Sequence, residues 1–196
     1  MWLKVTDIKD YMYCPLKTYL TVGLGIIPKP NQIAMKGKII HDIYLTLTRI
    51  AAIQYEETHT INPQTLTSKL REQIQERINT SQWMEDINKL AKFIAEVKFI
   101  ELPVITEHYL EDPQLKLTGR IDILEGNTPI EAKYKNKIDE ADIIQLTLYT
   151  ILVERQRKTK ITNAYIDLIK GSPSRNKVEV TQKLREKALI ILEETR

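Results

Sequence analysis

GRIDILEGNTPIEAKYKNK, residues 119–137, is the stretch whose reading decides the fold. Pro129 to Tyr134 reads as a buried strand with Ile130, Ala132 and Tyr134 on one face. Glu131 and Lys133 then share the other face, because side chains alternate along a strand. Just upstream, TGRIDILE reads as a second strand, with Ile121 and Ile123 opposite Asp122. Gly126-Asn127 supplies the tight turn between the two. Neighbouring strands therefore bring two carboxylates and an ammonium to one spot.

Carboxylates placed close together repel unless a cation lies between them. A hard divalent ion with oxygen ligands, Mg²⁺ or Mn²⁺, suits such a pair. The ammonium beside it can position or polarise a water and offset charge on a phosphorane-like transition state. Those are the requirements of phosphodiester hydrolysis. Taken alone, Glu-x-Lys fits an ordinary cross-strand surface pair equally well. Asp122 says more, since a carboxylate buried without a partner in an apolar strand is costly.

Working outward, the chain changes texture after Pro103. VITEHYLE joins LKLTGRIDILE and TPIEAKYK as a third strand, and Asp139 caps a helix through EADIIQLTLYTILVERQ. NAYIDLIKG and KVEVTQ read as a hairpin, and QKLREKALIILEET as a closing amphipathic helix. The first hundred residues read as helical. Thr6 caps DIKDYMYCPLKTYL, in which Pro15 starts a second turn or a kink, and VGLGIIPKPN is a loop. A long helix with apolar residues on several sides follows from Gln32 to Tyr55, and two amphipathic helices occupy roughly Pro63–Ile78 and Gln82–Ile100, broken at Asn79 and Thr80. The order is an α/β core preceded by a helical region: about 1–102 mostly helical, about 103–196 sheet-containing, in a single domain.

Two helical pairs flank the acids. Gly37 and His41 lie four apart, hence on one face. The glycine admits a close backbone neighbour, and the imidazole is either a nitrogen ligand or a satisfied core histidine. Gln145 and Tyr149 have the same spacing. They can hold a phosphate and stack a base, or merely pack.

Composition adds bounds. The chain has 196 residues, 42% hydrophobic and 28% charged, which is ordinary for a globular protein. It lacks an apolar run long enough for a membrane span, and its charged N-terminus is unlike a signal peptide, so the expected location is the cytoplasm, with a virus-encoded origin left open. One cysteine, Cys14, precludes an internal disulfide or a multi-thiolate metal site within this chain. Net charge is only +3, but Arg155 to Lys187 carries ten Lys or Arg against three acids. That run fits either a polyanion contact or a solvated basic surface.

Taken together, Gly37-x-x-x-His41, Gly119-Arg-Ile-Asp122, Glu131-Ala-Lys133 and Gln145-x-x-x-Tyr149 resemble the RecB-like nucleases of the PD-(D/E)XK class. VTDIKDYMYCPLKTYL also resembles the opening of that group, in its Ser/Thr, aromatic and Cys-Pro-x-Lys pattern. By length and motif order the likeness is to the CRISPR-associated RecB-type exonucleases and their viral or stand-alone relatives, over about residues 5–170. The resemblance implies a restriction-endonuclease-like core, a mixed central sheet flanked by helices. It implies a metal-dependent DNA exonuclease acting mainly on single-stranded ends, with some endonuclease activity allowed. Asp122, Glu131 and Lys133 would be catalytic. His41, Asp122, Glu131 and the Ala132 backbone carbonyl would bind Mg²⁺ or Mn²⁺. Arg120, Gln145 and Tyr149 would contact DNA.

Many CRISPR-associated members carry three C-terminal cysteines that join the N-terminal one around an iron–sulfur cluster. Here GSPSRNKVEV and TQKLREKALIILEETR contain none, so no such cluster is expected. Cys14 then reads as a small buried hydrophobe, and Leu184, Ala188, Ile191 and Leu192 as the packing that covers the sheet instead. Proteins of DNA repair, viral replication or CRISPR adaptation, and further copies of the chain, are the open partners. Two other functions stay in play: a DNA-binding or assembly subunit that cuts little, and a junction-resolving endonuclease.

Overall fold

The computed structural model describes residues 1–26, 31–74, 80–99 and 101–196. Its helices are α1 (Val5–Tyr13), α2 (Pro15–Thr18), α3 (Gln32–Thr58), α4 (Pro63–Ile74), α5 (Met84–Val97), α6 (Glu140–Arg157) and α7 (Gln182–Glu194). The strands are β1 (Leu3–Lys4), β2 (Val104–Asp112), β3 (Leu117–Glu125), β4 (Thr128–Lys133), β5 (Asn163–Leu168) and β6 (Ser174–Glu179). They form one mixed sheet in the order β1-β3-β4-β5-β6, with β2 also paired to β3. The β2/β3, β3/β4 and β5/β6 pairs are antiparallel, and β1/β3 and β4/β5 are parallel. The parallel step from β4 to β5 needs a crossover, and α6 provides it. Among the described residues no helix is long and apolar enough to cross a membrane.

Each face of the sheet buries its own core. Ile43, Leu47 and Ile50 of α3, Leu66 and Leu70 of α4 and Ile87, Leu90 and Ile94 of α5 pack on Ile123, Ile130 and Ala132. These spacings are the three- and four-residue steps of one helical stripe. On the other face, Leu3, Val5 and Ile8 meet Leu117, Ile121 and Leu124 together with Ile144 and Leu148 of α6. Helix α6 is buried from Ala141 to Val153 on nearly every side. Asp139 starts it as expected, its side chain accepting from the Asp142 amide at 3.0 Å while Asp142 accepts from the Asp139 amide at 3.1 Å. The Gly126-Asn127 turn is also as expected, with Gly126 at φ +57.

Several expectations need correction. Helix α1 starts at Val5, not after a Thr6 cap: Asp7 Oδ2 accepts from the Lys4 amide at 2.8 Å. The helix breaks at extended Cys14 before Pro15 opens α2, and Cys14 is exposed rather than buried. The loop expected from Val22 starts later, because Tyr19–Gly23 form a π-helical turn. The long helix α3 runs on to Thr58, and its first turns are exposed, with Ile33 77% accessible, so its central character begins near Ile40. Residues 75–78, Asn79, Ile100 and 27–30 of the expected loops and helices lie outside the described residues. The helical N-terminal region also contributes β1 to the sheet. Helix α7 buries Ala188 and Leu192, with Leu184 and Ile191 partly covered, against the α6 side of the molecule.

Candidate active site

The candidate site forms where the sheet is split. On one edge of β3, β1 pairs only with Leu117 and Thr118, while β4 pairs only from Ile123 to Glu125. Between them, residues 119–122 have no partner strand on that edge among the described residues. Tyr149 of α6 fills the gap against Gly119. A Cβ at Gly119 would fall 2.5 Å from the Tyr149 ring and 3.0 Å from Val5, so only glycine fits there without a shift.

At the end of the gap β3 and β2 turn over together. Ile121 packs in the α6-side core but Ile123 in the α3-side core, so the two are not on one face as expected. In β2, Glu107 takes a left-handed φ of 55° between Thr106, paired with Ile123, and His108, paired with Ile121. That local reversal carries Asp122 to the place where β4 diverges. Asp122 Oδ2 accepts from the Ala132 amide at 2.8 Å, and Oδ1 meets His41 Nε2 at 3.0 Å. The amide of Ala132, not its carbonyl, is thus the group bonded to Asp122.

Glu131 lies on the α6 side of β4, opposite Ile130 and Ala132, as alternation requires. Its Oε1 accepts from Lys133 Nζ at 2.6 Å and from Gln145 Nε2 at 3.0 Å. Lys133 Nζ also donates to Gln145 Oε1 at 2.8 Å, closing a three-membered ring of side chains. Glu131 Oε2 is buried and has no hydrogen-bond partner among the described residues. The structure therefore brings Asp122, Glu131, Lys133, His41 and Gln145 together. Gln145 is buried and occupied by the acid and the lysine, and Tyr149 is 2% exposed, so its face is not open for a base. Arg120 is exposed, with Nη1 3.8 Å from Glu107. Gly37 faces the Tyr134 ring, 3.3 Å from a would-be Cβ, not another backbone as expected.

Charges are balanced inside the chain. Burial lowers the His41 pKa, but the hydrogen bond and charge of Asp122 outweigh it, leaving the imidazole at about 9. Burial and the Asp122 charge raise Glu131 to about 7 against the pull of Lys133. Burial alone would depress Lys133, yet Glu131 and Asp122 hold it above the ordinary lysine value. Each acid has a protonated neighbour, and among the described residues no three His, Cys, Asp or Glu side chains form a ready metal cage. The donor chemistry nonetheless fits a hard divalent cation: two acids, one imidazole and an unpartnered buried carboxylate oxygen.

Three further ionic residues were not singled out in the sequence. Lys9 of α1 reaches buried Asp142 at 3.0 Å, and Lys135 pairs with Asp142 and, at 2.6 Å, with Asp139. Burial and the Lys133 charge both lower the Lys9 pKa. Asp139-x-x-Asp142 carried a capping signal, whereas nothing local marks Lys9. Conversely, the basic run from Arg155 to Lys187 is partly consumed internally: Arg155 binds Asp112, Arg175 binds Asp167 and Glu125, Arg185 binds Glu154 and Lys187 binds Glu140. The polyanion reading loses those side chains.

A family profile for the PD-(D/E)XK nuclease superfamily matches residues 3–195. No curated protein matches the chain. Among solved structures, the chain is similar to the "Putative exonuclease" from Eubacterium rectale, with TM-score 0.53 and 10% identity over 98% of this chain and 77% of that one. At that identity the likeness speaks for the fold alone.

Proposed function

The chain belongs to the PD-(D/E)XK nuclease superfamily, and from that premise we propose that it is a Mg²⁺- or Mn²⁺-dependent DNA exonuclease acting mainly on single-stranded ends. The observation that carries this reading is the meeting of Asp122, Glu131 and Lys133 across the split between β3 and β4, with Glu131 Oε2 buried and unpartnered. The RecB-like branch, with its CRISPR-associated and viral relatives, remains our reading on the strength of His41 and the motif order.

Asp122 and Glu131 would hold the cation, with His41 and the Ala132 carbonyl as further donors. A bound divalent ion supplies Lewis acidity toward a phosphate oxygen and a more acidic water. Lys133, kept protonated by its two acidic neighbours, has no lone pair to take a proton. It acts as a donor that orients water and offsets negative charge on the phosphoryl group. Gln145, bonded to both Lys133 and Glu131, fixes their mutual position. Arg120 meets the DNA strand.

The test is digestion of end-labelled single-stranded DNA, linear and circular, with Mg²⁺, Mn²⁺ or EDTA, by wild type, Glu131→Ala and Lys133→Ala. The expected result is metal-dependent loss of the linear strand, survival of the circle and no cutting by either variant. Equal cutting by the variants, or none by wild type, would remove the catalytic reading in favour of a DNA-binding subunit.

A further inference from the structure

A cleft of about 250 Å³ opens along β3 immediately before Asp122, between Lys4 and Thr6 on one side and Tyr109 and Arg120 on the other. Gly119 and Tyr149 form its floor. Tyr109 and Arg120 are directly opposed across β2 and β3, and side chains so placed are neighbours on one sheet face. Arg120 is two residues from Asp122, hence about 7 Å along the strand. Gln145, which bonds to both Lys133 and Glu131, lies one helical turn before Tyr149 on the same face of α6, so the floor leads toward the acid-lysine ring.

Tyr109 is 53% exposed and belongs to neither core of the sheet. Its hydroxyl is nevertheless tethered to Glu111 at 3.1 Å. The ring is therefore held in place without being buried, as a preorganised platform requires. Charge around the cleft is close to balanced. Arg120 lies 3.8 Å from Glu107, Arg49 shares Glu107 at 3.5 Å, and the acid Glu111 stands beside Tyr109. Long-range attraction is consequently weak, and the aromatic face is the main recognition element.

We propose that this cleft is a subsite for one unstacked nucleotide of the DNA strand, its base on the Tyr109 ring and its phosphate between Arg120 and Lys4. The proposal rests on the nuclease reading of the adjacent acids. Stacking on an aromatic ring is indifferent to base identity, because every base has a π-face. A base inside a duplex is already stacked and paired, and reaching Tyr109 would require breaking both contacts. The subsite thereby supplies a preference for single strands without base-specific hydrogen bonds.

Binding of fluorescein-labelled single-stranded and duplex oligonucleotides to the full chain, followed by anisotropy in EDTA, tests this without cleavage. Tyr109→Ala should weaken single-strand binding about tenfold, leave duplex binding unchanged and leave the melting temperature near wild type. Tyr109→Trp should keep wild-type affinity. An abasic residue scanned from the strand end should weaken wild type at one position and have no effect there in Tyr109→Ala. No detectable single-strand binding by wild type, equal binding by Tyr109→Ala, or equal losses for Ala and Trp would overturn the subsite. A separate cleavage assay keeps the two readings apart: Tyr109-dependent binding by a chain that never cuts preserves the subsite and ends the nuclease reading.

Discussion

Burial strips protons from an imidazole, yet His41 keeps its proton to about 9 because Asp122 hydrogen-bonds it and adds opposite charge. His41 thus pairs with one acid and Lys133 with the other. A metal would have to take His41 neutral, so loading is coupled to proton release. The raised value also contributes stability that is fully present below 6.5 and is lost as pH rises through about 9. An NMR titration of the His41 ring in metal-free protein should give a midpoint near 9, falling toward 6.5 in Asp122→Asn. A wild-type midpoint at or below 6.5 would mean that the pairing with Asp122 is absent. The pairing of Glu131 with Lys133 was legible, because strand alternation points both the same way, whereas Asp122 reaches them through a reversal that alternation does not predict. Lys9 was not, since its position depends on how α1 settles on α6.

At the scale of elements, α6 sets the site's geometry, and Asp139 sets where α6 begins. Its carboxylate caps the helix and is pulled well below the usual aspartate range by Lys135 and Tyr13 despite some burial. The Asp139 side chain is 43% exposed, so solvent screens the charge and the cap carries most of its value. Asp139→Ala should cost about 1 kcal/mol in urea unfolding, and Asp139→Asn much less, because asparagine caps equally well. Equal losses for both would show that the charge, not the cap, dominates. The turn, the hairpins and the cap of α6 could be read from local chemistry. The reversal at Glu107 and Asp122 could not, because a left-handed glutamate in a strand is imposed by tertiary pairing and carries no turn residue to announce it. The break at Cys14 was half visible in Pro15. The exposure of Cys14 depended on packing that its neighbours do not encode.

Across the whole molecule, two cores clamp one split sheet. On the α3 side, Tyr44 donates to Asp167 at 2.6 Å, and Arg175 binds Asp167 at 2.9 Å and Glu125 at 3.0 Å. Asp167 lies beside Ala132 in the β4/β5 register, so this buried network ties α3, one turn beyond His41, to the strand bearing Glu131. The basic run near the C-terminus looked like a surface because sequence counts charges without their partners. Arg175 and Arg185 are spent holding β6 and α7 in place. Whether Asp122 and Glu131 hold the proposed cation is tested most directly by Mn²⁺ titration of the metal-free full chain, followed by loss of the free-ion EPR signal. One saturable site should appear in wild type, persist in Lys133→Met, where Glu131 is released from its internal cation, and vanish in Asp122→Asn and Glu131→Gln. Mn²⁺ that stays free with wild type, or binds equally well to the two acid variants, would contradict it.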